Sequence, residues 1–266
     1  MSQALFILWR ESAEALLIVG ILHAWLRQQP ETAARLRWLW VGVAAGIGLA
    51  LLLAAALLGL LRQLPESALD YAQLGMMLLA AGLIVQMVAW MRRQGGQLRQ
   101  ALQAEVDARA GPGIAVLAAL AIAREGAETV VFLYGLGLEQ TSAGELALTV
   151  LLGLGLAAAS YWLLQQGGRW LQWRHFFRLS ETLLLLLGGA LLIGALEKLT
   201  MLGWLPTLVD ELWDSSWLLD DASRAGNLLA SFTGYRAHPA LSPLLGLALY
   251  WLLVAYYLLP ARRAVR

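Results

Sequence analysis

Trp9-Arg10-Glu11-Ser12-Ala13-Glu14-Ala15-Leu16-Leu17-Ile18-Val19-Gly20-Ile21-Leu22 aligns without a gap on Ala123-Arg124-Glu125-Gly126-Ala127-Glu128-Thr129-Val130-Val131-Phe132-Leu133-Tyr134-Gly135-Leu136. Both read Arg-Glu, a small residue, Ala, Glu and an apolar run, and Gly20 and Gly135 differ by one position in register. The copies lie 114 residues apart, which marks an internal repeat. On a helix, residues three apart share a face, so each copy presents a pair of carboxylates. The arginine sits four residues before the second glutamate and is placed to pair with it.

The surroundings of these charges decide what they mean. The 266 residues are 60% hydrophobic and only 14% charged, with a mean hydropathy of +0.66, which argues against a soluble globule and for a membrane protein. Apolar windows fall at about residues 4–26, 38–61, 70–91, 113–138, 144–165, 178–200 and 241–259. They are rich in Leu, Ala and Gly and show no period-two alternation, and an open sheet cannot sit in lipid. The expected fold is an all-α polytopic membrane protein of seven transmembrane helices in a single domain spanning 1–266. The first window is expected to be a retained span, since Arg10, Glu11 and Glu14 interrupt it and no basic leader precedes it.

Three spans separate the two motifs, so they lie on spans of opposite polarity. Two inverted three-helix repeats (about 4–91 and about 113–200), an outer loop (about 201–240) and a seventh helix (about 241–259) are expected, with the site near the midplane where spans 1 and 4 face each other. Arginine placement sets the orientation. Arg27, Arg35, Arg37, Arg92, Arg93, Arg99, Arg109, Arg169, Arg174, Arg178, Arg262, Arg263 and Arg266 fall on one side, against Arg62, Lys198, Arg224 and Arg236 on the other. The positive-inside bias places the N-terminus outside and the C-terminus inside the cytoplasmic membrane. Most loop acids, among them Glu66, Glu139 and Glu145, then fall outside.

On an insertion scale a charge at the membrane centre costs about 3 kcal/mol, so six facing lipid would cost roughly 18 kcal/mol. They are therefore expected to converge inside the bundle. Glu11, Glu14, Glu125 and Glu128 against Arg10 and Arg124 leave an excess of negative charge, which a cation or protons relieve. Oxygen donors suit hard cations. The chain has no cysteine, which excludes thiolate ligands and disulfides, and no Glu-x-x-His pair of the di-iron enzymes. Structural salt bridges between spans 1 and 4 are the bland alternative, weakened by the second copy. The near-neutral net charge of +1 excludes a nucleic-acid partner. His23, His175 and His238 are assigned to no metal.

Elsewhere, the outer loop carries Asp210, Glu211, Asp214, Asp220 and Asp221 against Arg224 and Arg236, an acidic approach that would concentrate cations or dock a periplasmic donor. Trp204, Trp213 and Trp217 equally suit an interfacial segment resting on membrane lipids. Glu181 is expected to cap a helix after Ser180 rather than to serve as an exit-side acid. Glu197 is expected to pair with its neighbour Lys198, and Gln73 and Gln86 to form interhelical hydrogen bonds. Gly20, Gly126 and Gly135 adjoin the motifs and suit either helix bending or close packing.

Arg10-Glu11-Ser12-Ala13-Glu14, Arg124-Glu125-Gly126-Ala127-Glu128, the seven spans and the long outer loop together resemble the oxidase-dependent iron permease family, the membrane subunit of high-affinity iron uptake. The resemblance implies an inward iron permease rather than an enzyme. Iron would be its transported substrate, arriving as Fe(III) after external oxidation, and no prosthetic group is implied. It further implies Glu11, Glu14, Glu125 and Glu128 as iron ligands, and a periplasmic iron-binding or iron-oxidising partner. Asp221-Ala222-Ser223-Arg224 departs from the acidic Asp-Ala-Ser-Glu element of some fungal members in its last residue. The rival readings are a carrier of another hard cation such as manganese or magnesium, an intramembrane enzyme using paired carboxylates, and a non-transporting structural or sensor subunit. The oligomeric state stays open.

Overall fold

The computed structural model describes residues 2–28, 32–94, 111–137, 142–165 and 173–258. Arg99, Arg109, Glu139, Arg169, Arg262, Arg263 and Arg266, which enter the charge asymmetry above, lie outside the described residues. The described residues form helices joined by turns and contain no strand. We number the helices α1 (Ser2–Leu26), α2 (Thr32–Leu61), α3 (Glu66–Gln94), α4 (Gly111–Gly135), α5 (Ala143–Gln165), α6 (Trp173–Met201), α7 (Arg224–Thr233) and α8 (Leu241–Leu258). Helices α2, α3 and α6 run several residues beyond the apolar windows, because helical hydrogen bonding continues past the hydrocarbon boundary into polar flanks such as Ala34-Arg35-Leu36-Arg37, while α4 ends three residues before its window does.

Five helices, α2, α3, α5, α6 and α8, contain stretches long and apolar enough to cross a membrane. Helices α1 and α4 are 25 residues each, about 37 Å at 1.5 Å per residue. Each is interrupted by the three charges of its motif. Bare apolar side chains cover the outside of the bundle: Leu51, Leu52, Leu151 and Leu252 are all more than half exposed, as suits a lipid-facing rather than a watery surface.

Packing runs between the two helix triplets. Helix α1 packs on α5, α4 on α2, α1 on α4, and α3 on α6. Small residues let the first two pairs approach closely. A Cβ at Gly42 would stand 2.3 Å from the Ala115 carbonyl oxygen, and one at Gly46 would stand 2.7 Å from Ile122 Cβ, so α2 and α4 run parallel. Gly153 is pressed on Leu8 and Gly20 on Tyr161, so α1 and α5 are parallel as well. Helices α3 and α6 are antiparallel: Arg92 is paired with Glu181 at one end and Asp70 with Lys198 at the other. Helix α8 lies antiparallel on α6, with Tyr250 Oη donating to the Leu185 carbonyl at 2.8 Å and Gly246 against Leu196. The start of α1 and the end of α8 accordingly lie at opposite ends of the bundle.

Residues 202–240 fold over the end where α1 begins. Backbone bonds from Leu212 to Pro239, Ser215 to Ala237 and Leu241 to Val209 tie the segment to itself. The Tyr235 hydroxyl reaches Ser215 Oγ at 2.7 Å and donates to the Leu219 carbonyl at 2.9 Å. Within the segment lies α7, a short helix with no counterpart among the apolar windows. Ser223 caps its start by accepting from the Gly226 N–H, and Gly234, at φ 74°, ends it in the left-handed conformation that favours glycine.

Two expected pairings are corrected. Helix α6 begins at Trp173, so Glu181 is not a cap after Ser180; it lies inside the helix and pairs across the bundle with Arg92. Glu197 does not pair with Lys198. It accepts a two-pronged bond from Arg236 at 2.7 and 2.8 Å, while Lys198 turns to Asp70 and to Gln73, whose carbonyl accepts. Consecutive residues on a helix point about 100° apart, so neighbours in sequence are poor partners.

Gly46→Leu is expected to force α2 away from α4 and destabilise the protein by about 1–3 kcal/mol. Gly48→Leu, at a position with open space around it, is expected to leave thermal unfolding in detergent unchanged. Equal shifts in the two variants would contradict the assigned packing.

Candidate metal centre

The two motifs meet. Ile7, one turn before Glu11, shares a buried cluster with Phe132, one turn after Glu128, while Leu22 and Leu26 share another with Ile114 and Ala118. Helices α1 and α4 therefore cross antiparallel with their charged segments at one level, between two apolar clusters. Arg10 and Glu11 are 1% and 2% exposed, and Glu125 and Glu128 are buried too.

Carboxylate oxygens of Glu11, Glu14 and Glu125 lie within 4.8 Å of one another, an arrangement able to hold a metal ion. Glu128 stands outside this group and accepts from Arg124 Nε at 2.8 Å. One oxygen each of Glu11, Glu125 and Glu128 is buried with no hydrogen-bond partner. Leaving buried acceptors of this kind unsatisfied is costly, and three at the same level make an environment that a cation would relieve. Oxygen donors at this spacing suit a hard or borderline cation.

The arginines occupy equivalent positions and behave differently. Both form the expected pair four residues on, Arg10 with Glu14 and Arg124 with Glu128. Arg10 is fully enclosed. Its Nη1 donates to Glu11 Oε1 at 2.8 Å and to Met87 Sδ at 3.1 Å, and its Nη2 to Glu14 and to Met91 Sδ at 3.3 Å. The Arg124 side chain is 48% exposed and lies over the Trp90 ring, 5.3 Å from its centroid. Met87, Trp90 and Met91 all belong to α3, which packs on α4, whereas α6 makes no comparable contact with α1. Residues 87, 90 and 91 gave no signal in the sequence, because Met and Trp in an apolar helix read as core.

The glycines beside the motifs are close contacts. A Cβ at Gly126 would stand 2.3 Å from Ala50 Cβ, and one at Gly135 would stand 3.3 Å from the Met76 carbonyl oxygen.

Toward the capped end, a cavity of about 260 Å³ is lined by Gln3, Gly135, Asn227, Ser231 and Arg236 among others. Gln3 lies eight residues from Glu11, about 12 Å along the helix, and Ile7 and Phe132, both fully buried, stand between. The acids of the cap do not converge on this cavity. Asp220 Oδ1 accepts from the Ala222 N–H and Asp221 Oδ2 from the Ala237 N–H. Glu211 contacts His238 Nδ1 at 2.6 Å, Asp214 lies 3.6 Å from Nε2, and Asp210 is exposed. Asp221-Ala222-Ser223-Arg224 is thus the turn that launches α7.

A many-helix membrane bundle with a buried carboxylate cluster and apolar closures on either side is the architecture of a permease. The chain belongs to the iron permease FTR1 family, which matches residues 1–262. Similar proteins include the "Ferrous iron permease EfeU" of Escherichia coli O6:K15:H31 (strain 536 / UPEC), 27% identical over 265 residues covering 96% of this chain and 94% of that protein. The protein of the same name from Yersinia pestis is 27% identical over 268 residues, covering 96% and 89%. No solved structure matches. Family and relatives are transporters, which removes the reading as an intramembrane enzyme.

The Glu211 carboxylate beside His238 raises that imidazole above its ordinary value of 6.5. A raised folded value means that the clasp His238 makes with Glu211 and Asp214 is complete below the unfolded value and is lost as pH climbs through the folded one. Protease nicking of residues 202–240 in proteoliposomes is expected to increase above neutral pH. Glu211→Gln should bring that increase to lower pH, and an unchanged profile would contradict the clasp.

Proposed function

We propose that the protein carries iron inward across the cytoplasmic membrane through seven spans, with Glu11, Glu14 and Glu125 as the ion's primary ligands and Glu128 as a neighbouring acceptor. The observation that carries the reading is the convergence of three carboxylates from two antiparallel helices, with buried oxygens unpartnered. Five apolar helices, together with α1 and α4, make up the seven spans. The packing supports an inverted repeat of 4–91 and 113–200: exchanging triplets turns α1 on α5 into α4 on α2, and leaves α1 on α4 and α3 on α6 unchanged. Arg27, Arg35, Arg37, Arg92 and Arg178 lie at the end away from the cap, which supports an outer N-terminus and cap and an inner C-terminus.

In this orientation iron approaches over the acidic cap, where a periplasmic iron-binding or iron-oxidising partner would dock, and enters the cavity above Ile7 and Phe132. Passage requires those side chains to part while Leu22, Leu26, Ile114 and Ala118 stay packed, and then the reverse. Arg10 and Arg124 hold the carboxylates in place and offset their charge while no ion is bound. The glutamate oxygens suit Fe(III), the form the family resemblance implies, while the relatives' printed names speak for Fe(II).

Glu11→Gln with Glu125→Gln is expected to reduce iron uptake into proteoliposomes by at least about a hundredfold, while the purified variant keeps its helical spectrum and elution volume. Uptake at the wild-type rate would refute the proposed ligands. Excess manganese or magnesium is expected not to compete. Since the chain lacks cysteine, Ser215→Cys and Arg37→Cys report orientation. An impermeant maleimide added to intact cells is expected to label the first and spare the second, and the opposite pattern would invert the topology.

A further inference from the structure

The Arg10 guanidinium is the hub of a four-cornered arrangement. Nη1 bridges Glu11 Oε1 to Met87 Sδ, and Nη2 bridges Glu14 Oε1 to Met91 Sδ. Thioether sulfur is a weak acceptor. A guanidinium sealed from water gains little from two such bonds, and Arg10 Nε has no partner at all. Leucine would fill the same space in a helix already rich in it. The chain has only six methionines, yet two of them stand four residues apart on α3 with both sulfurs turned to one charged centre. What a thioether offers beyond leucine is a soft lone pair, the donor that a borderline metal ion uses and an arginine does not need.

We propose that Met87 and Met91 are thioether ligands to iron, completing with Glu11 and Glu14 a mixed oxygen–sulfur site at the point the Arg10 guanidinium holds. The inference rests on the carboxylate reading above and adds the donors that set preference among iron's oxidation states. A cation taking Glu11 and Glu14 repels Arg10 and removes its acceptors, so guanidinium and ion exchange. The second motif shows that an arginine at this position can lie outside the carboxylate cluster: Arg124, still paired with Glu128, is half exposed over the Trp90 ring. Two unpartnered oxygens, on Glu11 and Glu125, remain beside the site for further coordination. With neutral sulfur donors beside the carboxylates, the site favours Fe(II) over the harder Fe(III).

The test is iron K-edge X-ray absorption on the full chain in detergent, loaded anaerobically with Fe(II), in ordinary and selenomethionine-labelled protein. A sulfur shell is expected around the iron, replaced by a heavier selenium shell on labelling, which leaves the fold intact. Met87→Leu with Met91→Leu should remove that shell and weaken Fe(II) binding about tenfold, while Ga(III), a redox-inert ferric probe, binds as before. Iron held with only oxygen or nitrogen neighbours in the unsubstituted protein overturns the thioether ligands and leaves the carboxylate reading standing. Fe(II) that stays bound in the Glu11→Gln, Glu125→Gln protein overturns the carboxylate reading itself.

Discussion

Charge placed where water cannot reach it is the constraint around which this molecule is arranged. Arg10, Glu11, Glu125 and Glu128 are buried at the level where α1 and α4 cross, and an unpaired charge there costs several kcal/mol. Pairing four residues along each helix answers part of that cost locally. The rest is answered by bringing the helices together, which requires the close α2 on α4 and α1 on α5 contacts at Gly42, Gly46 and Gly153. Ile7 and Phe132 on one side, and Leu22, Leu26, Ile114 and Ala118 on the other, then keep water from the crossing. In the proposed function, the same seals that make the charges expensive require an ion reaching them to exchange its water for protein oxygens.

Symmetry and its breach both matter. Two copies of one motif on antiparallel helices build a nearly two-fold centre, but α3 leans on α4 without an equivalent contact from α6 to α1. The breach gives the two arginines different lives: Arg10 is enclosed by Glu11, Glu14, Met87 and Met91, whereas Arg124 is half open over Trp90. A centre with one arginine in and one out has an uneven charge distribution, with Glu11, Glu14 and Glu125 grouped and Glu128 held apart.

Much of the centre was legible in the sequence because its signals are local. Three charges in an apolar run and their exact repetition at Arg124, Glu125 and Glu128 fix the helix, the shared face and the pairing by spacing alone. The family membership was legible for the same reason. What escaped depends on tertiary approach. Met87 and Met91 have the composition of ordinary core. Glu197 finds Arg236 and Glu181 finds Arg92, partners 39 and 89 residues distant, which no window in the sequence contains. Helix α7 hides in a polar loop, since ten residues held by Ser223 and Gly234 leave too short an apolar trace.

Whether the glutamates of α1 and α4 share an ion decides the proposed function. Anomalous scattering collected at the iron edge from crystals of the full chain soaked in iron is the most direct measurement. A single strong peak in contact with oxygens of Glu11, Glu14 and Glu125, between Ile7 and Leu22 along α1, is the predicted result. Peaks confined to the acids of residues 202–240, with none between α1 and α4, would contradict it.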